Sequence, residues 1–252
     1  MKVAVSGANG RLGRVISKGV SKADDMQLTC VYAPGYAGET VAGLEFEEFI
    51  VNVDADIIVE CSPPDSVMEN LRVWHSRGMG AVIGTSGFTK ERIQELKSFW
   101  GKNDPGCLIV PNFSIGAILM MRFAEQASPF FDSAEIIERH ETRKPDAPSG
   151  TALATAMRMG KHQKGKEQPS GKELIKGVRG GLVSGVRVHS LRMKGVLSDQ
   201  EVAFSNNGEI FSVHHSSTSY ESFVKGALMA IRHVKSIRGV AIGLDAALGF
   251  ES

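Results

Sequence analysis

The sequence predicts an α/β chain in two parts, one built on a parallel sheet and one an α+β unit with a mainly antiparallel sheet. Three observations lead there. Up to Val110, short apolar runs alternate with longer helical patterns. From Ala134 onward, strand-like runs follow one another with little helix between them. A glycine-rich turn starting at Gly7 joins the first apolar run to the first helical one.

Lys2–Ser6 (KVAVS) reads as the first strand and Leu12–Lys22 as the first helix. Gln27–Tyr32 and Asp56–Glu60 follow as strands, then a helix over Ser66–Arg77. Ala81–Gly84 and Cys107–Val110 extend the strand series around an amphipathic stretch at Lys90–Phe99. Runs this apolar are buried on both faces, as in a parallel sheet covered by helices on each side. In the second part Ala134–His140 is strand-like and Thr151–Met159 helical. Val186–Met193, Glu201–Ser205 and Glu209–His215 are strands, and Asn206-Asn207-Gly208 is a hairpin turn signal, so antiparallel pairing is expected. Glu221–His233 closes the chain as an amphipathic helix that returns to the first part. The expected division is residues 1–112 with 219–252, and 113–218 between them.

Composition narrows the function classes. A formal net charge of +1 over 252 residues gives no reason to expect binding to nucleic acid or to an acidic membrane. Lys161, Lys164 and Lys166 are read as a solvated basic loop. Cys30, Cys61 and Cys107 sit in or beside apolar runs without metal-ligand spacing, so buried, reduced thiols are expected and no metal. Met1–Ser6 leads straight into a strand rather than a secretory signal, and no run approaches the roughly 18 apolar residues of a membrane span. A cytoplasmic protein is the expectation.

Gly7-Ala8-Asn9-Gly10-Arg11-Leu12-Gly13 carries the first chemical signal. Glycines between a strand and a helix let a pyrophosphate approach backbone N–H groups, and the helix N-terminus adds partial positive charge. The spacing is G-x-x-G-x-x-G, so the strand–turn–helix context is what marks a Rossmann-like dinucleotide site; a purely structural turn is the alternative. After the second strand, Tyr32-Ala33-Pro34-Gly35 lacks the carboxylate that would bind a ribose 2′-hydroxyl. This tolerates a 2′-phosphate, with Arg11 a candidate partner. Beyond the carboxyl ends of later strands lie Gly84-Thr85-Ser86 and Val110-Pro111-Asn112-Phe113. Both are suited to a nicotinamide or ribose, or equally to ordinary turns.

The segment Glu138–Ala152 is the most informative. A strand delivers His140 into a stretch carrying Glu141, Arg143 and Lys144, and Ser149-Gly150-Thr151 then opens a helix. A histidine exchanges protons near neutral pH, a lysine pairs with an anion or supplies a proton, and a helix start suits a carboxylate. The alternative is a salt-bridged loop before a capped helix. His214 and His215 are adjacent on a strand and so face opposite ways, which argues against a shared metal; His189 is read as a packed or surface residue.

Lys144–Ala152 (KPDAPSGTA), with a histidine four residues before the lysine, resembles the signature of the dihydrodipicolinate reductase family. GANGRLG near the start, Ile83–Phe88 (IGTSGF), Pro111–Gly116 (PNFSIG), Val188–Arg192 (VHSLR), Gln200–Val202 (QEV) and Gly243–Gly249 (GLDAALG) match in order, so the likeness spans nearly the whole chain. The resemblance implies a homotetrameric enzyme that uses NADPH or NADH to reduce 4-hydroxy-tetrahydrodipicolinate, a small dicarboxylate, with loss of water. It implies that His140 and Lys144 are catalytic, that Ser149, Gly150 and Thr151 hold a substrate carboxylate, and that Glu141 stands with them at a substrate-binding position. Gly7, Ala8, Asn9, Gly10, Arg11, Leu12, Gly84, Thr85, Ser86, Val110, Pro111, Asn112 and Phe113 would contact cofactor. Many members carry a second histidine as a substrate contact where this chain has Glu141, which is expected to turn away or to pair with Arg139 or Arg143. A late arginine of the family is Tyr220 here. Two rivals stand beside this reading: a dehydrogenase for another small carboxylate, and a nucleotide-binding sensor without turnover.

Overall fold

The computed structural model describes residues 1–163 and 171–250 and divides into two compact units. Met1–Ser114 with Tyr220–Ser252 form the first, and Ile115–Ser219 the second. Lys164 and Lys166 of the basic stretch lie outside the described residues; Lys161 pairs with Glu125 at 3.7 Å.

In the first unit the chain runs β1 (Lys2–Ser6), α1 (Arg11–Val20), β2 (Gln27–Tyr32), β3 (Thr40–Val41), β4 (Leu44–Glu47), β5 (Ile57–Glu60), α2 (Val67–Ser76), β6 (Gly80–Ile83), α3 (Lys90–Phe99) and β7 (Cys107–Ile109). The second unit holds α4 (Ile115–Ala127), β8 (Ser133–His140), α5 (Gly150–Gln163), β9 (Gly181–Val183), β10 (Val186–Arg192), β11 (Ser198–Asn206) and β12 (Glu209–Ser217). The chain then returns to the first unit as α6 (Val224–Val234) and β13 (Val240–Ile242).

The first sheet has the order β13-β7-β6-β5-β1-β2-β4-β3, and every pair is parallel except the short β3/β4 hairpin. Its central strands are buried end to end, as their unbroken valine and isoleucine runs require. Trp74, Leu71 and Trp100 close one face over Ile58, Ile83 and Ile109. Glu60, at the end of β5, is also fully buried and is satisfied by neutral donors: the Trp74 indole at 2.8 Å, the Ser62 backbone N–H at 2.8 Å and the Asn70 amide at 3.3 Å. Within the second sheet the order is β12-β11-β8-β10-β9, antiparallel throughout except for β8 and β10. Ile136, Val188, Val202 and Phe204 of that sheet pack on Ala152, Ala156 and Met159 of α5 and Ala124 of α4.

Several expectations need correction. α4 has no counterpart in the sequence reading, nor do the β3/β4 hairpin, β9 and β13. Helix α5 spans Gly150–Gln163 rather than Thr151–Met159, and Tyr220–Phe223 is a 3-10 turn that precedes α6. Of the three free cysteines only Cys107 is buried; Cys30, on β2, and Cys61, the residue after β5, are partly exposed. Burial pushes all three thiols up, Cys30 to about 11.

Arg232 of α6 grips Asp25, in the loop before β2, with two hydrogen bonds of 2.8 Å. The Arg232 side chain holds the Asp25 carboxyl down, from 3.8 to about 2. A depressed carboxylate stabilises the fold above its unfolded pKa, and that contribution disappears as pH falls through the folded value. Melting temperature is therefore expected to drop between about pH 3.8 and about pH 2, and to drop less in an Arg232→Gln variant. Thermal melts across that window test this; identical slopes in both proteins would remove Asp25 as a source.

Candidate active site

In the first unit, the glycine turn is shaped by backbone contacts. Gly7 has φ +69°, and a Cβ there would lie 2.5 Å from the Cys61 carbonyl and 2.6 Å from the Ser62 nitrogen. A Cβ on Gly13 would meet the Gly7 oxygen at 2.3 Å, so the start of α1 lies directly on the turn. Gly10 is the N-cap of α1, no side chain caps it, and no acidic residue occupies the first turn. That is the form of an anion site: a helix N-terminus with partial positive charge, no side-chain cap and no acidic residue in its first turn. The residues present thus fit a dinucleotide pyrophosphate.

The neighbouring turns are tied to this one. Ser62 Oγ sits 2.8 Å from Ser6 Oγ at the end of β1, and Thr85 Oγ1 donates to the Ser62 carbonyl at 2.8 Å. Gly84 is required where it stands, since a Cβ would lie 2.5 Å from the Phe113 ring. Of the expected cofactor contacts, Gly10, Arg11, Ser86 and Pro111 are exposed, and Asn9, Leu12, Gly84 and Asn112 are half-buried. Gly7, Ala8, Thr85, Val110 and Phe113 are buried, so these offer a ligand backbone rather than side chain. Asn112 Oδ1 accepts from the Ser114 N–H at 2.8 Å, fixing that turn. The Arg11 guanidinium lies 4.9 Å from the centre of the Tyr220 ring. No carboxylate follows β2 directly, yet the β3/β4 region supplies two: Glu48 accepts from the Gly35 N–H at 2.9 Å, and Glu39 pairs with Arg14 at 3.3 Å.

In the second unit, β8 ends at His140. Its Nδ1 is hydrogen-bonded to Glu138, two residues earlier on the same face of the strand, and its Nε2 lies 3.1 Å from Ser198 Oγ on β11. Arg192 of β10 reaches both Glu138 oxygens, at 3.0 and 3.1 Å, and donates to the Asp146 carbonyl at 2.5 Å. Burial pushes the Glu138 carboxyl up, but hydrogen bonds from His140, Ser190 and Arg192 outweigh it and hold the group at about 2. Breaking a buried pair of this kind costs about 3–5 kcal/mol.

Lys144 Nζ donates to both oxygens of Asp146, at 2.8 and 2.9 Å. Burial raises the Asp146 carboxyl, and the Lys144 hydrogen bond and the charges of Lys144 and Arg192 pull it below its usual range. Glu141 pairs with Arg143 at 3.3 Å, not with Arg139, whose guanidinium binds Asp199. Ser149 accepts from the Ala152 N–H at 3.1 Å as the first turn of α5 begins. A Cβ on Gly150 would touch nothing within 4 Å, so the first residue of this helix is uncrowded. Thr151 holds the next turn through its carbonyl, which accepts from Thr155 Oγ1 at 2.8 Å. His214 bonds to Asp199 at 2.6 Å, while His215 faces Gly116. His189 bonds to Glu135 at 2.7 Å, and among the described residues no cluster of metal-ligating side chains occurs.

Residues 1–113 match the family model for the N-terminus of dihydrodipicolinate reductase, and residues 116–248 match the model for its C-terminus. The chain belongs to the dihydrodipicolinate reductase family. It is 40% identical to the 4-hydroxy-tetrahydrodipicolinate reductase of Cutibacterium acnes over all of both chains. Against the enzyme of that name from Mycolicibacterium gilvum it is 39% identical, covering 98% of this chain and 99% of the other. Among solved structures it resembles a dipicolinate-bound dihydrodipicolinate reductase from Paenisporosarcina sp. TG-14, with TM-score 0.83 and 32% identity over 98% of each chain.

For a dihydrodipicolinate reductase, the structure brings together more than the signature segment. Glu138, Arg192 and Ser198 were not singled out as site residues in the sequence, yet all three surround His140. Spacing by two along β8 was a readable sign for Glu138. Arg192 and Ser198 stand directly opposite His140 in the strand register, which the sequence alone does not display.

Proposed function

We propose that this dihydrodipicolinate reductase performs its family's reaction with His140 and Lys144 as its proton-handling pair. That reaction is the NAD(P)H-dependent reduction of 4-hydroxy-tetrahydrodipicolinate, with loss of water, to tetrahydrodipicolinate in lysine and diaminopimelate synthesis. The observation that carries the role assignment is local to the second unit. His140, ending β8, and the uncrowded start of α5 at Gly150 are joined by one short segment that also presents Lys144. An imidazole, an ammonium and a helix N-terminus on one stretch of chain suit a small dicarboxylate. The helix start and the Thr151 hydroxyl hold one carboxylate, and Lys144, released from Asp146, pairs with the substrate or supplies a proton. His140 holds a proton for delivery to the ring. Bound NADPH or NADH would supply the hydride, held by the first unit's glycine turn, by Gly84–Ser86 and by Val110–Phe113. The dipicolinate in the Paenisporosarcina reductase supports a planar dicarboxylate ligand here.

Glu141, where relatives of this family carry a second histidine, lies 3.3 Å from the exposed Arg143 guanidinium, which offsets part of its charge near the substrate. A homotetramer in the cytoplasm completes the reading; no helix among the described residues is long and apolar enough to cross a membrane. The deciding assay follows nicotinamide oxidation with substrate made in situ from pyruvate and aspartate semialdehyde by the preceding synthase. Synthase-dependent oxidation is expected, and comparing NADPH with NADH ranks the cofactors. Binding of both nucleotides without oxidation would overturn the reading in favour of a sensor.

A further inference from the structure

We propose that Glu138 and Ser198 are positioning residues that hold the His140 imidazole from both nitrogens, so that the proton given to substrate always leaves from Nε2. The inference rests on His140 being the proton donor. Three strands converge to build the grip. Glu138 and His140 share one face of β8, Arg192 stands opposite His140 on β10, and Ser198 stands opposite it on β11. The Glu138 side chain is fully buried, so water offers it no substitute partner, while that of His140 stays 13% exposed.

Charge decides the tautomer. Arg192 contacts both Glu138 oxygens, and the carboxyl is held at about 2, so Glu138 is ionised and only accepts. Nδ1 must therefore carry a hydrogen. In the neutral ring Nε2 then presents a lone pair, and the Ser198 hydroxyl donates to it across 3.1 Å. When His140 takes up a second proton, that proton resides on Nε2. In the reaction the Nε2–H bond breaks and its electron pair stays on nitrogen. The proton joins the substrate atom that receives the electron pair displaced by hydride addition. His140 returns to its neutral Nδ1–H form, with no rotation of the ring needed.

Glutamine at position 138 tests the point sharply. Its amide oxygen is drawn to Arg192, which leaves its NH2 group facing Nδ1 and forces the opposite tautomer. We therefore compare Glu138→Gln, His140→Asn and the double variant in the synthase-coupled assay, with melting curves for each. Glu138→Gln is expected to lower kcat by about tenfold to a hundredfold, with KM for substrate and for NADPH within about twofold of the parent. In the His140→Asn background the same change is expected to have no further effect, because its route of action is gone. An equal fold-loss in both backgrounds, or an unchanged kcat in the single variant, overturns the proposal. Should Glu138→Gln melt too early to assay, Ser198→Ala goes through the same cycle, with a loss of about threefold to tenfold expected only when His140 is present. Additivity there overturns it equally. Wild-type turnover in His140→Asn would instead remove His140 as donor, and with it the assignment on which this inference stands.

Discussion

Replacing Lys144 by alanine is expected to lower kcat by about 10²- to 10³-fold while NADPH affinity stays within about twofold of the parent. The ammonium is held in place by both oxygens of Asp146, in the segment between β8 and α5. Among the described residues its ion-pair contact lies in the second unit, whereas the glycine turn proposed for the dinucleotide lies in the first. The loss should therefore fall on turnover alone. Lys144→Arg separates the two roles open to the residue. A guanidinium keeps the positive charge but does not release its proton at working pH. Recovery of substrate KM without recovery of kcat would identify proton supply as the larger part. Steady-state kinetics with nucleotide binding measured separately checks both variants, and an equal loss of NADPH binding in Lys144→Ala would count against the role.

Gly7→Ala is expected to damage both stability and nucleotide binding. The backbone at Gly7 has φ +69°, which costs an L-residue about 1 kcal/mol. The new methyl group would also sit 2.5 Å from backbone atoms of Cys61, and backbone does not swing aside as a side-chain tip does. Overpacking of this kind costs about 1–3 kcal/mol more. At roughly 2–4 °C per kcal/mol for a chain of this size, the melting temperature should fall by about 4–16 °C. Moving the β5 turn also disturbs the Ser6, Ser62 and Thr85 contacts that align three strand ends. NADPH affinity should drop by about tenfold or more, since the N–H groups at the start of α1 would no longer converge. Calorimetry and nucleotide titration read the two effects; a variant that melts and binds like the parent would show that the turn is not closed in the way described.

What could be read from the sequence depended on whether the relevant contacts were local. The central parallel strands announced themselves because each carries a run of apolar residues rather than an alternation, and the KPDAPSGTA segment carried its chemistry on consecutive residues. Helix α4 escaped notice for the opposite reason to most misses. Ile115–Ala127 is apolar around most of its circumference, so it lacks the one-sided period that marks a surface helix. The β3/β4 hairpin escaped because its strands are only two and four residues long. At the site, Glu138 was within reach of a period-two reading, whereas Arg192 and Ser198 join His140 only through pairings 52 and 58 residues distant in the chain. Arg11, read as a partner for a 2′-phosphate, lies against Tyr220, a neighbour that no local pattern announces.

The one parallel pairing in the second sheet has a consequence for how this protein tolerates change. β8 and β10 run the same way and are adjacent, so the chain leaving β8 must travel back along the sheet before β10 can begin. Helix α5 lies on that return journey, and its first residue follows the strand end that bears His140. Imidazole and helix start are thus neighbours by topology, before any side chain is chosen. Added length between His140 and Gly150 would alter the spacing of the two groups directly. Before β9, Arg179 is tied back to Glu135 on β8 at 2.5 Å, so the return route is anchored to the strand it left.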